Sequence, residues 1–260
     1  MEFSVTAFFG AGLGKDRRAM TKILLPHQLT NGSYGSALAA AATVRGNTEI
    51  VRLLVEAGAD VNRQLNRGSY GSALAAAACR RDSEIVKLLL EAGADVNQQL
   101  THGFYGSALA AAVEGNTEIV KLLLGAGADV NQQLTYEIYG SALAAAVTLE
   151  GNTEIVKLLL EAGADVNQQL THGFYGSALA AAACRRDSEI VKLLLEAGAD
   201  VNQQLTHGFY GSALAAAVTL EGNTEIVKLL WRLERMSISS FHTETTEMLL
   251  RRQPIINAKR

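Results

Sequence analysis

The sequence predicts an all-α solenoid of stacked helix-turn-helix units with extended finger loops, and three observations carry that prediction. The motif Tyr-Gly-Ser-Ala-Leu-Ala-Ala-Ala begins at Tyr34, Tyr70, Tyr105, Tyr139, Tyr175 and Tyr210, in steps of 36, 35, 34, 36 and 35 residues. A period of that size marks a stacked-repeat architecture. Residues 70–104 and 175–209 are identical letter for letter, at exposed as well as buried positions. Packing does not demand identity on the surface, so a block of several units was duplicated. Finally, one unit of 35 residues falls below the roughly 40 at which an isolated domain becomes viable. Stacking supplies each unit with the wall it lacks.

The elements follow in order. Ser72 is an N-cap, because its hydroxyl can accept from an orphan backbone N–H. Leu74, Ala77 and Ala78 fall on one face of a short first helix. Asp82 is the N-cap of a second helix, and Glu84 suits its positive end. Ile85, Val86, Leu88, Leu89 and Leu90 form a wide apolar stripe, with Lys87 and Glu91 on the outer face at i, i+4 spacing. Gly93 stops that helix by accepting a left-handed conformation. Asp95 to Phe104 is then a polar finger leading to the next unit. The turn between the two helices varies: Leu109 to Ile119 spans ten residues, Leu74 to Ile85 eleven, and Leu143 to Ile155 twelve. That variation predicts uneven packing at the turns.

These residues resemble the ankyrin repeat. The family's Thr-Pro-Leu-His-x-Ala-Ala corresponds to Ser72 through Ala78. Its Gly-His-x-x-Ile-Val-x-Leu-Leu-Leu corresponds to Gly151 through Leu160. Its Gly-Ala-Asp-Val-Asn occurs at Gly58, Gly93, Gly127, Gly163 and Gly198. The Tyr-Gly-Ser-Ala-Leu variant is similar to repeats of filamentous-fungal proteins, where such repeats often follow a NACHT module. The resemblance implies a protein-binding scaffold with no enzymatic activity. Two departures stand out. The Thr-Pro start and the His are absent from every unit, which predicts a looser stack, because the family's His ties neighbouring repeats together. The finger is longer than the family pattern, with twelve residues from Asn62 to Leu74.

The expected organisation is an irregular leader or cap over residues 1–25, a repeat domain over 26–236 and a degenerate cap over 237–260. Leu229-Leu230-Trp231-Arg232 lacks the stop glycine, so the last full helix is expected to run to about Met236. Leu249 to Asn257 lines up with Leu-Leu-Glu-Ala-Gly-Ala-Asp-Val-Asn, which suggests a degenerate helix over 243–252.

Bulk composition narrows the function. Net charge is −3 with both signs interspersed, so there is no basic field for nucleic acid or an anionic membrane. No apolar stretch reaches the ~18 residues of a membrane span. Phe3 to Gly14 imitates a signal-peptide core, but Glu2 stands where basic residues belong and no cleavage site follows. Cys79 and Cys184 occupy equivalent positions three units apart, roughly 30 Å at the usual helix spacing, beyond the ~7 Å a disulfide tolerates. A reducing compartment, cytoplasmic or nuclear, fits that arrangement.

No catalytic, cofactor-binding or metal-binding residue is predicted. His102, His172 and His207 recur at one finger position, with His27 and His242 elsewhere. Rows spaced about one repeat apart cannot converge on one ion at the ~2 Å that ligation needs. The segment Phe8 to Asp16 resembles a phosphate-binding loop. Yet Phe9 stands where its first glycine belongs and Asp16 where Ser or Thr would hold magnesium, so a glycine-rich leader is the favoured reading over a nucleotide-dependent switch.

The candidate contacts for an unidentified protein partner lie on the concave face and the fingers: Gln99, His102, Phe104, Tyr136, Ile138, His172, Phe174, His207 and Phe209. Small outward alanines, Ala76, Ala111, Ala145, Ala181 and Ala216, are expected to floor a shallow groove. The finger tyrosines are expected to pack inward at the finger base. The residue before each points outward if neighbours alternate, or packs on the next finger. The expected state is a monomer. The alternative is a fragment of a larger NACHT-ankyrin protein with no independent role.

Overall fold

The computed structural model describes residues 36–66, 68–114, 116–135, 139–219 and 223–236. Among them are twelve helices and no strand, arranged as six pairs. They are α1 (Ala37–Ala42) and α2 (Thr48–Glu56), α3 (Ala73–Cys79) and α4 (Ser83–Glu91), and α5 (Ala108–Ala112) and α6 (Thr117–Gly125). Then come α7 (Ala142–Thr148) and α8 (Thr153–Glu161), α9 (Ala178–Arg185) and α10 (Ser188–Glu196), and α11 (Ala213–Val218) with α12, residues 224–236. First helices pack on first helices and second helices on second helices, so the core is one continuous strip along the stack.

Local chemistry sets the helix boundaries. Ser36, Ser72, Ser107, Ser141, Ser177 and Ser212 each accept a bond from the N–H three residues on, at 3.0–3.2 Å. Asp82 caps α4 through Ile85 N–H at 3.1 Å, and Asp187 caps α10 through Ile190 N–H at 3.0 Å. Each of the first five second helices stops at a glycine of positive φ, for example Gly93 at 85°. Without such a glycine α12 stays helical through Met236.

Turn length decides what the residue before each second helix does. After the ten-residue spacing, Asn116 caps its own helix through Ile119 N–H. After the twelve-residue spacing, Asn152 makes no such cap and donates instead to Val113 C=O of the preceding unit at 2.6 Å. Asn223 likewise donates to Ala183 C=O at 2.8 Å. The extra residues let the amide fold back under the neighbouring first helix. The eleven-residue turns bend through Arg81 and Arg186, both at left-handed φ. The uneven turns therefore change how units are tied together.

One expectation fails. Ala76, Ala111, Ala145, Ala181 and Ala216 do not floor an open groove; all are buried, none above 2% exposed. Methyl side chains let first helices of adjacent units approach so closely that every face of an internal first helix is covered. The four alanines Ala75 to Ala78 are at most 1% exposed. The predicted leader, the glycine-rich segment Gly10 to Lys15, His27, His242 and the degenerate helix over 243–252 lie outside the described residues.

Candidate protein-binding surface

The fingers are closed by their own backbone. Leu65 N–H donates to Gly71 C=O at 2.8 Å, and the same bond recurs from Leu100 to Gly106, Leu134 to Gly140, Leu170 to Gly176 and Leu205 to Gly211. Each of these leucines plugs the finger base, fully buried except Leu205. The glycine after the tyrosine is required at internal fingers. Gly71 has φ +74°, and a Cβ there would overlap the His102 carbonyl oxygen of the next finger. Adjacent fingers therefore touch backbone to backbone. Phe104 N–H donates to Ser69 C=O, and Phe209 N–H to Phe174 C=O, both at 2.9 Å.

Asparagine and glutamine side chains join the fingers into a rigid row. Asn62 donates to Gly93 C=O at 3.0 Å and accepts from Asp95 N–H at 2.7 Å, bridging two units with one amide. Asn97, Asn131 and Asn167 repeat that double bond to the next unit. A second ladder runs from Gln64 to Gln99 C=O, Gln99 to Gln133 C=O, Gln133 to Gln169 C=O and Gln169 to Gln204 C=O, at 2.8–3.2 Å. Thr101, Thr171 and Thr206 lock it by donating to Gln64, Gln133 and Gln169 side-chain oxygens. These amides take the tying role that the sequence lost with the family's His. Sequence reasoning missed them, although Asn and Gln recur at fixed offsets after each Gly-Ala-Asp-Val.

Against that frame the predicted contacts divide. Phe104, Phe174 and Phe209 point outward, 66%, 44% and 75% exposed. Phe174 and Phe209 also stack on each other, ring centroids 5.2 Å apart, so the two outcomes left open by the sequence coexist. His102, His172 and His207 are exposed, each with Nδ1 within 3.0–3.1 Å of the preceding threonine hydroxyl. Gln99 is exposed too, but its amide N–H is committed to the ladder. Tyr136 and Ile138 lie outside the described residues.

The finger tyrosines turn inward, half-buried against the core. Tyr105 donates to Glu114 Oε1 at 2.7 Å and lies 3.2 Å from the Cys79 sulfur. Burial, followed by the bond to Cys79, pushes the Tyr105 phenol far above its ordinary range. Burial also pushes the Cys79 thiol up, reinforced by the Glu114 charge. The Tyr105 phenol and the Cys79 thiol are thus held protonated beside the Glu114 carboxylate, and the cluster does not present a thiolate nucleophile. Among the described residues no group of three or more His, Cys, Asp or Glu could hold a metal ion. No described helix is long and apolar enough to cross a membrane.

Helix pairs stacked through a shared core, with fingers stitched side by side, define a helical repeat solenoid. A family model described as "Ankyrin repeats (3 copies)" matches residues 10–100, 65–134, 108–205 and 142–240, and the chain belongs to the ankyrin-repeat family. Repeats of this family are generally protein–protein interaction modules. No curated protein matches the chain.

Proposed function

We propose that the chain is a scaffold that binds another protein through the outer row of its fingers. The observation that carries this reading is the exposure of Phe104, Phe174 and Phe209 on a hydrogen-bonded frame. Exposed apolar rows are costly in water and mark interaction sites. Aromatics give large contact area with few side-chain torsions to freeze, which makes them frequent binding anchors. The rigid ladder lowers the ordering cost of association. His102, His172 and His207 sit one step away and supply polar contacts at the rim. The burial of the alanines moves the reading from a groove floor to the finger edge.

The repeat domain in this reading spans residues 26–236, and the scaffold acts as a monomer. Cys79 and Cys184 are both unpaired, which favours the cytosol or nucleus.

The test is capture of partners from source-cell lysate by the whole chain and by a Phe104→Ser/Phe174→Ser/Phe209→Ser variant. Both must show the same helical content by circular dichroism. A partner held by the wild type and lost by the variant is the expected result. Each single Phe→Ala change should cost under about 1 kcal/mol of stability, as exposed positions do. Equal capture by both chains, or none by either, would overturn the finger-edge reading.

A further inference from the structure

Phe174 and Phe209 belong to adjacent units, so the line joining their rings runs along the stack. The backbone fixes their spacing. Phe209 N–H donates to Phe174 C=O at 2.9 Å, and the ring centroids stand 5.2 Å apart. That distance is close to one turn of an α-helix, ~5.4 Å. Same-face side chains of an extended strand repeat at ~6.8 Å, and a polyproline helix repeats at ~9.3 Å. A helix laid along the stack therefore seats side chains i and i+4 on successive rings, which is how an amphipathic helix anchors on an apolar surface. A strand or a polyproline segment falls out of step with them.

Charge selects the helix further. Residues 91–107, 125–141, 161–177 and 196–212, the last four fingers with the helix ends that lead into them, hold eight Asp and Glu and no Lys or Arg. The whole chain carries only −3, so its negative charge is concentrated in the fingers. Asp95, Asp129, Asp165 and Asp200 are exposed, and among the described residues none forms an ion pair. Each accepts from the N–H two residues on, as Asp95 does from Asn97 at 2.9 Å. That bond holds the carboxylate in place without neutralising it. α4, α6, α8 and α10 end just before these fingers and add the negative ends of their dipoles. An apolar row in a negative field favours a partner with the opposite charge. We propose that the element this surface accepts is a cationic amphipathic helix of another protein. Its apolar face meets the phenyl rings, and lysines or arginines flank that face. The proposal rests on the finger-edge reading above and deepens it.

The experiment titrates the full chain into three labelled peptides of about 20 residues, a length that sustains a helix, and reads fluorescence anisotropy. The first peptide is Leu/Lys with leucines at helical spacing. The second has the same composition with leucines at every other position. The third keeps the helical spacing and replaces Lys by Glu. We expect the first to bind at least about tenfold more tightly than either other. Its affinity should fall severalfold between about 50 and 300 mM salt, as screening removes the charge attraction. Phe174→Ser/Phe209→Ser should weaken it about tenfold, and so should Asp95→Asn/Asp165→Asn/Asp200→Asn, which keeps the oxygen that accepts the backbone bond. The three peptides are compared on the unaltered chain, so that comparison depends on no variant folding. Equal binding of the alternating peptide overturns the helix, and equal binding of the Leu/Glu peptide overturns the cation. No binding of the first peptide overturns both. The finger edge itself survives those three outcomes if capture from lysate still depends on the phenylalanines. Binding of the first peptide that is unchanged by Phe174→Ser/Phe209→Ser overturns this proposal and the finger-edge reading together.

Discussion

Residues 70–104 and 175–209 share one sequence, yet they are not the same structure. Both fold to a helix pair and a finger, and both fingers tie themselves backward in the same way. Gln98 and Gln203 donate to the preceding Asn62 and Asn167 carbonyls. Thr101 and Thr206 donate to the preceding glutamine. The helix turns differ on the backward side: Arg80 donates to Thr43 C=O at 2.8 Å and Asp82 accepts from Gly46 N–H at 3.0 Å, whereas Asp187 accepts from Glu189 and Ile190 N–H of its own helix. The fingers differ on the forward side. Leu100 is 2% exposed and Leu205 only half-buried. Gln99 reaches Gln133 of the next unit, whereas Gln204 turns back to its own Asn202 carbonyl at 3.4 Å. The segment's single cysteine meets a different partner in each place. Cys79 joins Tyr105 and Glu114, whereas Cys184 meets Tyr210 on a unit that has Thr219 where the other has Glu114. Identical letters therefore specify the unit and the backward bonds of its finger. The neighbour specifies the rest.

The largest test of that statement is at the glycines. Gly71→Ala places a Cβ against the His102 carbonyl at positive φ and should cost at least about 2–4 kcal/mol. Gly211→Ala, where φ is ordinary and nothing lies within 4 Å, should change stability by under about 0.5 kcal/mol. Urea titration of the two variants reads the contrast, and equal losses would break it.

Next comes the cysteine cluster. Tyr105→Phe removes a bond to a carboxylate and should cost about 1 kcal/mol at neutral pH, discounted for its half-exposed setting. Its phenol is held above the ordinary tyrosine value in the folded chain, so the fold favours the protonated form. That contribution is complete below about pH 10 and is lost as the unfolded chain's tyrosine ionises above it. The melting temperature should therefore fall more steeply above pH 10 in the wild type than in Tyr105→Phe. Parallel alkaline slopes would show that the Tyr105–Glu114 contact contributes nothing.

The smallest effect separates the ladder from its end. Gln99→Ala should cost about 0.5–1 kcal/mol, because it breaks an inter-unit bond at an exposed site. Gln204→Ala should be neutral within about 0.3 kcal/mol. A matched pair of denaturation midpoints would mean that the glutamine ladder is ornamental.

Much of this was readable from the letters. The period is a property of the letters themselves, and the serine and aspartate caps and the stop glycines involve residues within four or five of one another. Each residue's partner is then fixed by helix geometry, whatever surrounds it. The outward phenylalanines were half legible: alternation gave their direction, but not that Phe174 and Phe209 would also stack. What the letters did not give are contacts between residues 30 or more apart, such as Asn62 with Gly93 and Asp95, or Asn152 with Val113. The alanines show the reason. A helix wheel drawn for one unit leaves Ala76 on an outer face, because a wheel has no neighbours. Only stacking decides how close the next helix comes. With methyl groups on both sides it comes close enough to bury Ala76 and its counterparts.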